Sequence, residues 1–361
     1  MKRADEFPSR PLRFPLRAGF LASVAVLAAA PAMAGGSLTL LVWEGYADES
    51  FVKPFEDKTG CTVDAVYVGS NDEIVSKVMS GGGAADLISP SNDTTMRLVN
   101  AGAVSPVDTS KVPSMADFMP QFQTPAWLEK DGQVYGVPYG WGVVRIIADP
   151  KAVPAGTDSL SFLWDPKYKG QISVWDDIET VYMASRFLGF KNTYSLTDDQ
   201  LEQVKAKLIE MKPNIRKYWF TTGEMGTLMA GGEVIGGNSW ESTLVELRKA
   251  GHEALDIDPK EGRGGWSDSW MIVKGAEENA CIYPWLDWVS SPEAQALAHN
   301  VTGFGYPNVK MAGMLDPEAK QTYEALGMAN PDTLKNIDWW QPVERRAKYL
   351  EIWNQVKAAS E

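Results

Sequence analysis

Cysteine and histidine are scarce, with two of each in 361 residues. Cys61 and Cys281 form no CxxC spacing, and His252 and His299 stand apart from one another. Zinc sites and dithiol redox motifs need such ligands in close array, so neither a metal nor a cofactor is expected. No GxSxG elbow is present and neither histidine has a serine in a suggestive context, which leaves a Ser-His-Asp hydrolase without its parts. Gly81-Gly82-Gly83 lacks the Lys-Ser/Thr pair of a phosphate loop and reads as a helix stop and turn. Adjoining tyrosines, as used for iron capture on two-lobed scaffolds, are missing too. Positive charge is in the minority: 34 Lys and Arg face 47 Asp and Glu, a net of −13. Such a surface repels nucleic acid and anionic lipid and draws in cations. Beyond the N-terminal region no apolar run approaches the ~18 residues of a membrane-spanning helix.

The chain starts with a pattern of its own. Arg10, Arg13 and Arg17 precede an apolar run from Ala18 to Ala30, and Ala32-Met33-Ala34 offers an A-x-A cleavage site. Residues 1–34 therefore read as a secretory signal peptide. They take five of the basic and two of the acidic residues, leaving 29 against 45 and a net of −16 for the rest. No lipobox-type cysteine lies near the cleavage point, so a free periplasmic or secreted protein is expected. In an exported protein an even pair of cysteines reads as one disulfide, Cys61–Cys281. That bridge would pin an early strand to a late helix and make the chain cross between domains more than once.

Apolar residues make up 44% and charged ones 22%, as in a packed globule, and the length suits two domains. Strand and helix alternate. Ser37–Trp43, Thr62–Tyr67 and Asp86–Ser89 read as strands; Asp48–Thr59, Asn71–Met79 and Thr94–Asn100 read as helices. After Tyr135 a second unit opens with a strand over Val143–Ala148. Strands over Ile172–Trp175, Val234–Asn238 and Asp268–Val273 follow. Helices are expected over Val181–Leu188, Asp198–Met211, Glu224–Ala230, Glu241–Ala250, Asn279–Ser290 and Tyr349–Ala359. This alternation predicts an α/β fold with parallel sheets. The chemically interesting residues fall where strands end, and in open α/β sheets the ligand crevice lies beyond those carboxyl ends.

The stretch GRGGWSDSWMIV, 262–273, sets Trp266 and Trp270 around Asp268 behind a pliable glycine run. A core strand wants the tryptophans but not the charge, and a solvated loop wants the charge but not the tryptophans. A cationic and partly apolar ligand would use both. Trp43, Tyr46, Trp240, Trp266 and Phe304 are the candidate aromatics; Glu44, Asp177, Glu241 and Asp268 are the candidate acids. An alkylammonium over an indole gains about 0.5–2 kcal/mol, and its hydrogen bonds to carboxylates are charge-assisted. Asp176-Asp177 with Glu179 raises a glycosidase reading, since aromatic platforms also bind sugars. Neighbouring strand residues point to opposite faces, however, and could not share one substrate.

In order along the chain, VWEGY (42–46), FEDKTGCTV (55–63), ADLISPS (85–91), VPYGWG (137–142), LWDPKYKGQISVWDD (163–177), GGEVIGGNSW (231–240), WSDSWMIV (266–273) and SSPEAQALA (290–298) resemble the polyamine-type solute-binding proteins of spermidine/putrescine ABC importers. The resemblance runs from about Leu38 to the C-terminus. It implies a type II periplasmic-binding fold, a monomer that closes on a small cationic ligand and presents it to a membrane permease. It implies ligand contacts from Trp43, Tyr46, Ser91, Asp177, Trp240, Trp266 and Asp268, with Glu44 and Glu241 as extra acids in the same segments. The expected lobes are 37–141 plus 268–306 and 142–267 plus 307–361, which makes Cys61 and Cys281 lobe mates. There are departures: Thr180 stands where relatives carry a second acid, Asp93 where they carry an aromatic, and Phe304 where they carry a tyrosine, with Tyr306 nearby. Ligand length and amine number therefore stay open. A zwitterionic amino compound, clamped by Arg145 or Arg216, is the alternative on the same scaffold, and a secreted glycan-acting hydrolase is the alternative of another class.

Overall fold

The computed structural model describes residues 35–81, 85–328 and 337–359; the expected signal peptide and Gly82-Gly83 lie outside the described residues. Strands β1 (Gly36–Val42), β2 (Cys61–Tyr67), β3 (Leu87–Ile88) and β4 (Val104–Ser105) open a first sheet. A small hairpin, β5 (Glu129–Lys130) and β6 (Gln133–Val134), stands apart, and β7 (Val137–Val143) rejoins the first sheet. The second sheet comprises β8 (Arg145–Ala148), β9 (Ile172–Trp175), β10 (Ile215–Trp219), β11 (Gly236–Ser239) and β12 (Leu255–Ile257). The chain then returns to the first sheet with β13 (Gly264–Val273) and β14 (Asp338–Trp339). The strand order is β14-β13-β3-β1-β2 in the first sheet, with β4 and β7 also on β13, and β10-β9-β11-β8-β12 in the second. Two sheets with helices between their strands make a two-lobed α/β fold.

The helices are α1 (Glu49–Thr59), α2 (Asn71–Met79), α3 (Thr95–Asn100), α4 (Glu179–Phe187), α5 (Asp198–Met211), α6 (Thr222–Ala230), α7 (Glu241–Lys249), α8 (Ile282–Ser290), α9 (Pro292–Thr302), α10 (Pro317–Ala325) and α11 (Arg346–Ala358). Local chemistry sets their ends. Asp48 caps α1 by accepting from the Ser50 N–H, and Gly60 ends it at φ 73°, where a Cβ would clash. Thr197 and Gln200 form a reciprocal capping box at the start of α5. Phe51 and Phe55 of α1 pack against Trp285 of α8, and the Cys61–Cys281 disulfide ties the start of β2 to the residue preceding α8, closing a 220-residue separation.

Three expectations need correction. The sheets are mixed, not parallel: β1 runs parallel to β2 and β3, but β13 lies antiparallel to β3, β4 and β7, and β8 antiparallel to β11 and β12. The return strand comes in from the second sheet rather than through a right-handed helical crossover, so its direction reverses. The Val143–Ala148 strand is broken at Val144, with its two parts in different sheets. The glycine run before Trp266 is also not a pliable loop. Gly264 and Gly265 are buried in β13, and a Cβ on Gly265 would lie 1.8 Å from Ile337 Cγ2. These glycines permit close packing rather than mobility.

Candidate functional site

A cavity of about 480 Å³ opens at the carboxyl ends of β1, β3, β9, β10 and β11 and against the middle of β13. Strand geometry sets its floor. Trp266, Asp268 and Trp270 share one face of β13 by the two-residue repeat. Between Ser267 and Ser269 the register against β7 slips by one residue, and there Asp268 bridges to Ser91 instead. Such a slip twists a strand and re-aims a side chain. Asp268 and Trp266 thus reach the cavity, while Trp270 packs behind against Tyr46, Tyr139 and Trp285.

Asp268 is only 4% exposed. Its Oδ2 accepts from the Tyr46 hydroxyl at 2.6 Å, and its Oδ1 is buried without a hydrogen-bond partner. Burial pushes the carboxyl up to about 7, against the opposing pull of the Ser91 and Tyr46 hydroxyls. Tyr46 is held well above its ordinary value by burial and by the adjoining Asp268 charge, so it stays a neutral donor.

Aromatic rings form the walls. Trp175, at the end of β9, stacks on Trp219 at 5.8 Å and on Trp340 at 6.2 Å, and meets Trp240 edge-on at 4.9 Å. Trp240 meets Trp266 at 5.9 Å, and Trp266 meets Phe304 at 4.7 Å, both edge-on. Trp43 is fixed by its indole N–H, which donates to the Ser89 carbonyl at 2.7 Å. The sequence pointed to neither Trp175, Trp219 nor Trp340. The first two end parallel strands, a signal that was available; Trp340 follows the two-residue β14 and had none.

Of the ten residues expected at the site, eight line the cavity: Trp43, Glu44, Tyr46, Ser91, Trp240, Trp266, Asp268 and Phe304. Asp177 and Glu241 do not. Glu241 is fully buried beneath it, accepting from the Val143 N–H and from Arg145 Nε, both at 3.0 Å. Burial alone would lower the Arg145 guanidinium, but Glu241 and Asp256 outweigh it and keep it charged. Asp177 turns inward and accepts from the Glu179 N–H at 3.0 Å; burial pushes it up to about 7, with Arg346 opposing. Arg346, from α11, pairs with Asp93 at 2.8 Å and Asp72 at 3.0 Å, which explains the aspartate at position 93. Thr180 donates to the Trp175 carbonyl at 2.7 Å and does not reach the cavity. The candidate clamps are committed as well: Arg145 as above, and Arg216 to Glu233 at 3.0 Å on the surface.

The lining carries four carboxylates, Glu44, Asp48, Glu246 and Asp268, and no Lys, Arg or His among the described residues. Glu44 and Phe220 reach across the entrance: the Gly223 N–H lies 3.4 Å from Glu44 Oε2, and the Phe220 ring closes over Gly69 so tightly that a Cβ there would overlap it. The Trp175 indole N–H donates to the Gly69 carbonyl at 3.2 Å. Segments of the two sheets therefore touch across the cavity, as in a closed form.

The paired-carboxylate arrangement considered for a glycosidase is not formed by Asp176 and Asp177. Asp176 accepts from the Trp353 indole at 2.8 Å while Asp177 turns to Glu179, so the two carboxylates diverge. His299 sits between the Phe304 and Ala319 carbonyls at 2.7 and 3.3 Å, and burial lowers it.

A two-lobed fold that shuts an aromatic and acidic cavity between strand ends defines a protein that holds a small solute. The chain belongs to the bacterial extracellular solute-binding protein family, whose profile matches residues 50–327. It is 27% identical over 337 residues to the spermidine/putrescine-binding periplasmic protein of Escherichia coli, covering 92% of this chain and 94% of that one. It is 24% identical over 361 residues to the putrescine/cadaverine-binding protein of Pseudomonas aeruginosa, covering 93% and 98%. The fold matches the spermidine/putrescine ABC transporter substrate-binding protein of Streptococcus pneumoniae with a TM-score of 0.71 at 22% identity, covering 90% and 99%. It also matches the glucopine-bound binding protein MotA of A. tumefaciens, with a TM-score of 0.72 at 20% identity, covering 89% and 99%.

Proposed function

We propose that this protein captures a polyamine-type cation in the periplasm and presents it to the membrane permease of an ABC importer, as a monomer and without chemistry on the ligand. One observation carries the reading: a closed, tryptophan-walled cavity lined, among the described residues, by four carboxylates and no basic side chain. A volume of about 480 Å³ suits a small ligand. The indoles stack on methylenes and ammonium groups, and Asp268 takes one charged end through its unpaired Oδ1. Two charged ends and a few methylenes at ~0.8 kcal/mol each reach the roughly −8 kcal/mol of a micromolar site. The names of the relatives point the same way. The lobes are taken near 37–141 plus 268–306 and 142–267 plus 307–361, with β7 and β13 running across those boundaries as the hinge strands.

A zwitterionic ligand is less well served, because its carboxylate meets no cation in the lining among the described residues. A sugar would meet indoles but would leave Asp268 uncompensated. Titration calorimetry with putrescine, spermidine, γ-aminobutyrate and a short oligosaccharide separates these ligands. The reading expects heat from the diamines that is lost in Asp268→Asn and strongly reduced in Trp266→Ala. Preference for γ-aminobutyrate, or turnover of the saccharide, would overturn it.

A further inference from the structure

Arg346 opens α11 and is buried. Its helix is fastened to the second sheet and the segments around it. The Tyr349 hydroxyl accepts from the Leu196 N–H at 2.8 Å and donates to the Thr193 carbonyl at 2.9 Å. The Trp353 indole N–H donates to Asp176, just past β9, at 2.8 Å, and its ring meets Tyr218 of β10 edge-on at 5.1 Å. The Arg346 guanidinium, by contrast, reaches into elements of the first sheet. Its Nε lies 3.1 Å from both oxygens of Asp72, on α2 between β2 and β3, and its Nη2 donates to Asp72 Oδ2 at 3.0 Å. Its Nη1 donates to Asp93 Oδ2, beyond β3, at 2.8 Å.

Each of these acids is also held from its own side. Asp72 accepts from Arg97 of α3 at 2.7 Å, and Asp93 accepts from the Thr94 hydroxyl at 3.0 Å. If the sheets part, the acids stay with the first and the cation with the second. The contacts across the cavity entrance are weaker: the neutral Trp175 N–H to the Gly69 carbonyl at 3.2 Å, and Gly223 N–H to Glu44 at 3.4 Å. A forked guanidinium–carboxylate contact is charge-assisted and roughly twice as strong as a neutral hydrogen bond. Asp93 is buried while the structure is shut and would be an uncompensated charge without Arg346; once the sheets part, water solvates both partners. The pairing therefore favours one of two states, as a ligand with differential affinity does. Asp177, on the second-sheet side, also acts on Arg346 by charge, so the guanidinium keeps a carboxylate on its own side when the pair breaks. Arg346, Asp72 and Asp93 all lie outside the cavity lining.

We infer that Arg346 is an ionic latch across the lobe boundary: its pairing with Asp72 and Asp93 sets the closed fraction of the ligand-free protein, and through it the affinity for a solute that none of the three touches. The inference rests on the reading above of two lobes that close, and is independent of which solute the cavity holds.

Small-angle X-ray scattering on the full mature chain, with no solute added, reads lobe separation; calorimetry with putrescine reads affinity. The variants are Arg346→Gln, Asp72→Asn and the double. Asp72 is the milder site, with its side chain 23% exposed. Each free variant should scatter as a more open particle, with a larger radius of gyration than the wild type. Apparent affinity scales with the fraction of the competent state, so each single change should weaken putrescine binding about tenfold. The double variant should match Arg346→Gln within about twofold, because the two residues act as one pair. Arg346→Lys, which keeps the charge and loses the fork, should fall between Arg346→Gln and wild type. Scattering unchanged in the free variants, even with lowered melting temperatures, would make the pair a scaffold contact and overturn the latch. Variants that open, on a wild type that binds no amine, would support the latch and overturn the amine reading instead.

Discussion

Asp268→Asn is the perturbation that bears most directly on the proposed function. The amide keeps the shape, and its oxygen can still accept from Tyr46, so the change isolates the charge. Removing one partner of a buried, hydrogen-bonded charge pair costs about 2–5 kcal/mol; a middle value of about 3 kcal/mol predicts roughly a hundredfold weaker diamine binding at pH 8. The same carboxylate predicts a pH profile. Burial raises it from 3.8 to about 7 in the ligand-free fold. A bound cation favours the ionised form, so affinity should be full above pH 7 and fall by up to tenfold per unit below it. In Asp268→Asn that slope should vanish. Stability runs the other way. The folded state holds this proton more tightly than the unfolded chain, so stability present at low pH is lost as pH rises from about 4 through 7. Ligand-free Asp268→Asn should therefore melt above the wild type at pH 8 by the equivalent of a few kcal/mol. Calorimetry at pH 6, 7 and 8, with thermal melts of the free protein, reads both effects. Diamine binding by Asp268→Asn within threefold of wild type at pH 8, or a flat wild-type profile, would refute the reasoning.

Glu241→Gln should change diamine affinity by less than threefold, because its carboxylate lies under the cavity; a large loss would restore it as a ligand contact. Arg145→Met leaves that buried carboxylate unpaired and should cost about 3–5 kcal/mol in denaturant melts, with part recovered in the Arg145→Met/Glu241→Gln double variant. Gly142→Ala places a Cβ 2.8 Å from Glu241 Oε2 and 2.9 Å from Trp266 Cζ2, so it should shift the Trp266 ring and weaken diamine binding at least tenfold, with a change in tryptophan fluorescence. Cys281→Ser opens a closed loop of 220 residues, for which chain entropy sets a ceiling of about 5 kcal/mol on lost stability; a melt unchanged by reductant would show that the bridge adds little.

The legible part of this protein is the local part. Caps, periodicity and breakers act within a few residues, and they placed α1, α2 and α5 almost residue for residue, because Asp48, Gly60, Ser70 and Thr197 satisfy backbone groups beside them. The same locality made Trp266 and Asp268 readable as one face, and made the ends of β1, β3 and β11 readable as places where a ligand could sit. Mixed sheet direction was not legible, since nothing within β13 says which strand it will meet. Nor was the fate of each charge. Asp93 and Asp72 look as available as Asp268 along the chain, but Arg346 arrives from 253 and 274 residues away and neutralises them. Arg145 claims Glu241 in the same way. A carboxylate taken out of water must find a donor or a cation. Which one it finds depends on how distant segments pack, so the residue types follow from the sequence while their division between scaffold and cavity is decided only by the fold.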